Sequence, residues 1–230
     1  MYIANMYKTA TQTTQMVLEA RGRTVEMSYD FEKIIEEIDA SSKHRINDEA
    51  SPYVNELTGR NCVYLVVRDR AGKLEGFASL RLLQIGEEKL LGYLRRQFRR
   101  IYGHGKVAFD DKDVPAVVHR ITGDVAFVSD IFIERSARGK DGLDVGDLLV
   151  LAYAQAALRW RVDWIYGFTK NRDVKRGLAG RYFASRLYPS AIKWTVETPN
   201  RRDDDWLLCF DRDDYDYVIH RYIQNVANAA

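Results

Sequence analysis

Apolar and polar positions switch between two periods along the chain, and the switches set out its elements. Residues 24–29 read as a short strand. Phe31, Ile34, Ile35 and Ile38 then recur at helical spacing behind Asp30, a capping residue type, which predicts the first helix of the chain. CVYLVVRD (62–69) and LEGFASLRLL (74–83) are β-rich runs joined by Arg70-Ala71-Gly72-Lys73, and predict a β-hairpin. Over residues 87–102, Leu90, Leu94, Phe98 and Ile101 keep helical spacing while Arg95, Arg96, Arg99 and Arg100 crowd the remaining surface, predicting an amphipathic helix with a basic face.

VAFVSDIFI (125–133) predicts a mostly apolar strand that ends in a glycine-containing loop. Residues 147–161 are apolar nearly all round, interrupted by Gln155 and Arg159, and predict a core helix buried on more than one side. Residues 164–168 follow as a strand and 171–187 as a helix. KWTVET (193–198) and WLLCFD (206–211) read as strands around the polar turn 199–205, and YDYVIHRYIQ (215–224) as a short strand or helix. The chain shows no internal repeat and no Pro/Ser-rich linker, so one continuous domain is expected, of mixed α/β class.

Composition narrows the function classes. Of 230 residues, 46% are hydrophobic, enough for a substantial core, and 35 basic against 33 acidic residues leave a net charge of only +2. No global field therefore favours nucleic acid or an anionic membrane. The four arginines of the basic face are the one local candidate for a polyanion such as RNA, with a solvated helix face as the alternative. Cys62 and Cys209 stand alone, without a metal-ligand or disulfide spacing, and the histidines at 44, 104, 119 and 220 have none either. No window reaches the ~18 apolar residues of a spanning helix, so a soluble, cytoplasmic protein without metal is expected. Asp203, Asp204 and Asp205, then Asp211, Asp213, Asp214 and Asp216, form an acidic cluster that could attract a cationic amine, although solvated turns explain it as well.

The chemistry concentrates where the strand 125–133 hands over to the buried helix. A helix start presents unpaired N–H groups and the positive end of its dipole, so a glycine loop leading into it suits a phosphate. Gly139, Gly142 and Gly146 would let the backbone approach an anion, and Arg138 would add charge-assisted hydrogen bonds; an ordinary strand-to-helix loop with glycines for turns is the alternative. The loop is neither GxxxxGK[ST] nor GxGxxG, which excludes the usual nucleotide fingerprints.

Ile133-Glu134-Arg135-Ser136-Ala137-Arg138-Gly139-Lys140 resembles the pyrophosphate loop of the GNAT superfamily of N-acetyltransferases, V-x-P-x-x-R-G-x-G-x-G/A, which lies between the fourth strand and a long helix. An Asn-headed helix ending in Tyr-x-x-x-Gly-Phe follows in that family. Here Asn171 leads and Tyr182-Phe-Ala-Ser-Arg186-Leu187 stands at the corresponding end. The resemblance implies a central, mostly antiparallel sheet with helices on both faces, a single domain over 1–230, and an insertion at about 84–122 between the third and fourth core strands.

It also implies acetyl-CoA as acyl donor and direct attack by a primary amine of a small molecule or peptide, with no metal and no membrane; a homodimer is left open. Ile131, Phe132, Ile133, Arg138, Gly139, Lys140, Gly142, Val145, Gly146 and Asn171 would hold the donor, and Tyr182 would protonate the leaving thiolate. Asp130 is a candidate base or amine contact, with pairing to an arginine or a backbone group as the alternative, and Glu134 is a second candidate base. Gly76-Phe-Ala-Ser-Leu-Arg81-Leu82-Leu83 and the long 84–122 segment look like the acyl-homoserine-lactone synthases, which share the GNAT core and take longer acyl chains, but their Trp-Glu-x-Ser-Arg-Phe strand is absent. A CoA-binding or interaction module without catalysis is the remaining alternative.

Overall fold

The predicted hairpin is the seed of the sheet. β2 (Cys62–Arg68) and β3 (Leu74–Gly86) pair antiparallel, with Cys62 opposite Arg81 and Val66 opposite Phe77. β1 (Thr24–Ser28) adds to the outer edge of β2, and β4 (Gly123–Ile133) to the inner edge of β3, both antiparallel. β5 (Trp164–Thr169) then lies parallel to β4, and β7 (Trp206–Asp211) and β6 (Arg186–Tyr188) complete a seven-stranded sheet of order β1-β2-β3-β4-β5-β7-β6. This computed structural model describes residues 2–103, 114–139, 142–194 and 201–229.

Strand alternation feeds apolar layers on both faces. Val63, Leu65 and Val67 point to the side carrying α1 (Tyr2–Ala20), α4 (Val145–Trp160) and α7 (Arg212–Ala229). Cys62, Tyr64 and Val66 point to the other, where α2 (Phe31–Asp39) buries Phe31, Ile34, Ile35 and Ile38, each worth about 1.5–3 kcal/mol of burial. Asp30 caps α2 by accepting from the N–H of Lys33, as its position predicts. On the same face α3 (Leu90–Tyr102) packs Leu90, Leu94 and Phe98 against Phe127, Tyr166 and Leu207. The mixed α/β class, the mostly antiparallel sheet and the helices on both faces are as expected.

Two expectations are corrected, and the C-terminal segment, left open between strand and helix, is a helix. The first helix is α1, not α2: its buried stripe is Tyr7, Ala10, Thr14 and Leu18, too small and polar to stand out as a hydrophobic period. The C-terminal segment is α7, a helix of 18 residues. α1 and α7 both pack on α4, which explains its all-round apolarity; Gln155 of α4 donates to Thr11 of α1 at 3.0 Å. Residues 171–187 do not form one helix. Gly177 at φ 81° breaks them into α5 (Asn171–Lys175) and α6 (Leu178–Arg181), and Phe183 at φ 54° turns the chain into β6. The strand expected at 193–198 lies mostly outside the described residues, as does part of the 84–122 segment. Among the described residues, no helix is long and apolar enough to cross a membrane.

The basic face of α3 is partly spent on packing. Arg96 pairs with Glu88, and Arg100 donates to the carbonyl of Val54 and to Asn55 Oδ1 at 2.6 Å. Buried Gln97 reaches the same Asn55 oxygen at 2.9 Å, so this helix is pinned by polar contacts to the loop before β2.

Candidate functional site

β4 and β5 are paired only from Val125–Trp164 to Val128–Gly167, although β4 runs on to Ile133. Two local causes separate them. Ser79 of β3 faces Asp130 while Leu80 faces Val128, so Ser129 is an extra residue in β4, a bulge that bends the strand at the point of divergence. Gly167, the last rung, lies so close to the Val128 carbonyl oxygen that a Cβ there would sit 2.9 Å from it. The separation opens a cleft of about 820 Å³ walled by the free end of β4, the end of β5, α6, the start of α4 and the loop after α2.

Nine of the side chains lining this cleft are Lys or Arg and three are Asp, a local excess of positive charge in a chain whose net charge is close to neutral. Field lines from such a lining concentrate in the cleft and favour an anionic ligand. The strand itself adds polar backbone. The Ser129 carbonyl accepts from the Asn47 amide at 2.5 Å, and the Ile133 carbonyl accepts from Arg138 Nε and Nη2 at 2.9 and 2.6 Å. The period of two then turns the backbone N–H and C=O of Ile131 toward the same side.

Tyr182, Asp130, Ile131, Phe132, Ile133, Arg138, Gly139 and Val145 all line the cleft. Tyr182 is half-buried, and burial raises its pKa although a hydrogen bond with Thr169 opposes the rise. Its phenol therefore stays protonated through the physiological range. Asp130 is buried, paired with Lys43 where an arginine was considered, and accepts from the Asn47 backbone N–H at 2.6 Å, the backbone partner also considered.

Glu134, Gly142, Gly146 and Asn171 lie outside the lining. Glu134 caps the 3₁₀ turn Arg135–Ala137; desolvation works against its charge, but hydrogen bonds from Ser42 and the Arg135 N–H outweigh it and hold the carboxyl below its ordinary value. That favours the ionised form and weakens it as a base. Gly142 serves the turn: a Cβ would meet the Ala137 carbonyl at 2.4 Å. The N–H of Gly146 is taken by the Asp144 carboxylate at 2.6 Å, which also meets Arg181 at 3.2 Å. Asn171 ties β7 to α5, bonding Asp204 at 3.1 Å and Trp206 Nε1 at 3.2 Å. Lys140 lies outside the described residues.

Among the solved structures similar to this chain are N-acetyltransferases. The spermidine/spermine N-acetyltransferase SpeG of Vibrio cholerae is 13% identical, with a TM-score of 0.46 over 84% of this chain and 96% of that one. NAA60 of Arabidopsis thaliana, solved with a bisubstrate analogue, is 12% identical, with a TM-score of 0.46 over 82% of this chain and 98% of that one. No protein-family model matches the sequence, and no curated protein matches it.

Several lining residues carried no local signal in the sequence. Lys43, Arg45 and Asn47 reach the cleft from the loop after α2, a segment without a motif. Arg201 forms a buried ion pair with Glu49, with side-chain exposures of 5% and 4%, and lies 4.6 Å from the centre of the Phe168 ring. Asp205, read with its neighbours either as attracting a cationic amine or as a solvated turn, is only 5% exposed and lines the cleft. Arg186, which stands at the glycine of the family ending, lies outside the lining; it joins β6 to the end of β7 through Asp211 at 2.5 Å and to α7 through Asp214 at 3.1 Å. Among the described residues, no group of His, Cys, Asp and Glu is arranged to hold a metal ion.

Proposed function

We propose that this chain is an acyl-CoA-dependent N-acyltransferase that transfers acetyl to a primary amine by direct attack. The observation that carries the reading is the cation-lined cleft between diverging β4 and β5, with the protonated phenol of Tyr182 inside it. Acetyl-CoA supplies the activated acyl thioester and three phosphate groups.

The residues present fit such a donor through side chains more than through the helix end. Asp144 already caps Gly146, so the glycines shape the loop, and Arg138, Gly139, Arg176 and Arg181 are the groups available to phosphate. Arg138 spends two guanidinium N–H groups on the Ile133 carbonyl and retains others for an anion. Ile131 offers backbone hydrogen bonds to an amide-bearing chain along β4. Tyr182 holds a proton at Oη for a leaving thiolate and carries no charge into the cleft while it waits.

A coupled assay of CoA release from acetyl-CoA, run over a panel of primary alkylamines, polyamines and peptides, tests the reading. Amine-dependent release that Tyr182→Phe suppresses supports it. Tight CoA binding without release under any amine would leave a CoA-binding module. A preference for long acyl chains over acetyl-CoA would move the activity toward the acyl-homoserine-lactone-synthase-like alternative.

A further inference from the structure

The loop that leads into α4 is held by a residue from outside the cleft. Arg21 follows directly on α1, and its Nη1 donates to the Asp147 carboxylate at 2.8 Å and to the Gly142 carbonyl at 3.3 Å. Gly142 in turn donates its N–H at 3.1 Å to the carbonyl of Gly139, which lines the cleft together with Arg138. One guanidinium nitrogen thus ties the glycine turn to the first turn of α4. Asp147 is buried, and its other oxygen accepts from Tyr222 of α7 at 2.8 Å. The two terminal helices therefore meet at a single carboxylate at the start of α4.

That carboxylate opposes an anion site unless it is neutralised. An acidic side chain in the first turn suits the helix dipole, but it repels an anion drawn to the same helix start. The start of α4 carries two such groups, Asp144 and Asp147. Asp144 is met by Arg181, which lines the cleft, and Asp147 by Arg21, which does not. An ordinary ion pair between α1 and α4 accounts for Asp147 and leaves the hold on Gly142 unexplained.

We infer that Arg21 is a positioning residue for the phosphates of the donor. It fixes the Gly139–Gly142 turn beside Arg138, and it cancels the Asp147 charge that would push the anion away. The inference rests on the acyl-CoA reading, and extends it to α1, which contributes no residue to the cleft lining. Arg21 touches no ligand and acts through Gly142 and Asp147. Its side chain is 34% exposed, so the pair adds little to folding, and an effect on binding can be told from an effect on stability.

Calorimetric titration with CoA, beside a thermal melt of each protein, tests this in wild type, Arg21→Gln, Arg21→Lys and Tyr7→Phe. The last variant removes the hydrogen bond from α1 to Asp216 of α7, and so loosens the same helix away from the loop. Arg21→Gln is expected to weaken CoA binding about tenfold. Arg21→Lys keeps the charge and is expected to return binding to within about threefold of wild type. Tyr7→Phe is expected to melt at a lower temperature and to bind CoA as wild type does. Unchanged affinity in Arg21→Gln, no recovery in Arg21→Lys, or an equal loss in Tyr7→Phe overturns the assignment. Failure of folded wild type to bind CoA instead overturns the donor reading beneath it.

Discussion

Gly167 of β5 abuts the carbonyl of Val128 in β4 at the last rung the two strands share, at a distance that leaves no room for a side chain. This contact sets the apex of the cleft: beyond it the bulge at Ser129 carries β4 away. Substituting Gly167→Val forces backbone to shift at that apex. It is expected to cost about 1–3 kcal/mol, to lower Tm by several degrees and to weaken CoA binding at least tenfold. Differential scanning calorimetry and CoA titration of the same preparation check both.

Tyr182→Phe removes one oxygen atom from the cleft and keeps the ring. If the phenol donates its proton to the leaving sulfur, kcat falls by roughly 10²-fold, and CoA affinity stays within about twofold. Steady-state kinetics beside calorimetric titration separate the two quantities. An unchanged kcat would return Tyr182 to a packing role on the rim of the apolar core that it borders.

The Glu49–Arg201 pair is deeply buried, with side-chain exposures of 4% and 5%. Burial lifts Glu49 above its ordinary value, and the Arg201 charge opposes the rise. Removing only the arginine strands a carboxyl in the interior, so Arg201→Ala is expected to cost about 3–5 kcal/mol. The double variant Glu49→Leu/Arg201→Leu is expected to recover most of that loss, because neither charge is then buried alone. Denaturant melts of the three proteins measure it.

Alkaline pH should unfold the protein. Burial raises Tyr64, Tyr153 and Tyr166 above their ordinary value and takes Tyr215 up to about 12. A group whose folded pKa is raised contributes stability that is complete below its unfolded pKa, about 10 for tyrosine, and is lost as pH climbs toward the folded value. Stability is thus expected to hold up to about pH 10 and then to fall. Tyrosinate absorbance is expected to rise together with the loss of helix by circular dichroism. Tyrosinate formation complete before any unfolding would contradict this.

The two thiols should be silent in the folded state. Burial pushes Cys62 and Cys209 up to about 12, which leaves little thiolate at neutral pH. Ellman's reagent is expected to titrate neither until denaturant is added, so thiol released from CoA can be read directly in the activity assay.

Much of the sheet was legible because strand period and turn chemistry are local. Arg70-Ala71-Gly72-Lys73 fixed the hairpin, and the apolar run of β4 and the all-round apolarity of α4 placed the core. α1 was not legible, since its buried Ala10 and Thr14 become core positions only when α4 lies against them. The site divides along the same line. Arg138, Gly139 and Tyr182 could be found from a motif and a spacing, and all three line the cleft.

Gly142, Gly146 and Asn171 share the motif but act within the loop and its supports. Lys43, Asn47 and Asp205 are brought to the cleft by chain reversals far apart in sequence. Asp205 shows where composition stops: the consecutive aspartates fit a cation-attracting cluster and a solvated turn equally, and only the fold shows that the third is buried.

If the proposed acyl transfer is right, the cleft between β4 and β5 binds CoA. Calorimetric titration of folded wild type with CoA and with dephospho-CoA, at low and at moderate salt, tests it most directly. The account predicts saturable binding to CoA that weakens with salt, weakens again without the 3′-phosphate, and is lost or greatly reduced in Gly167→Val. Absence of heat from folded wild type at any salt, or binding that Gly167→Val leaves unchanged, would contradict it.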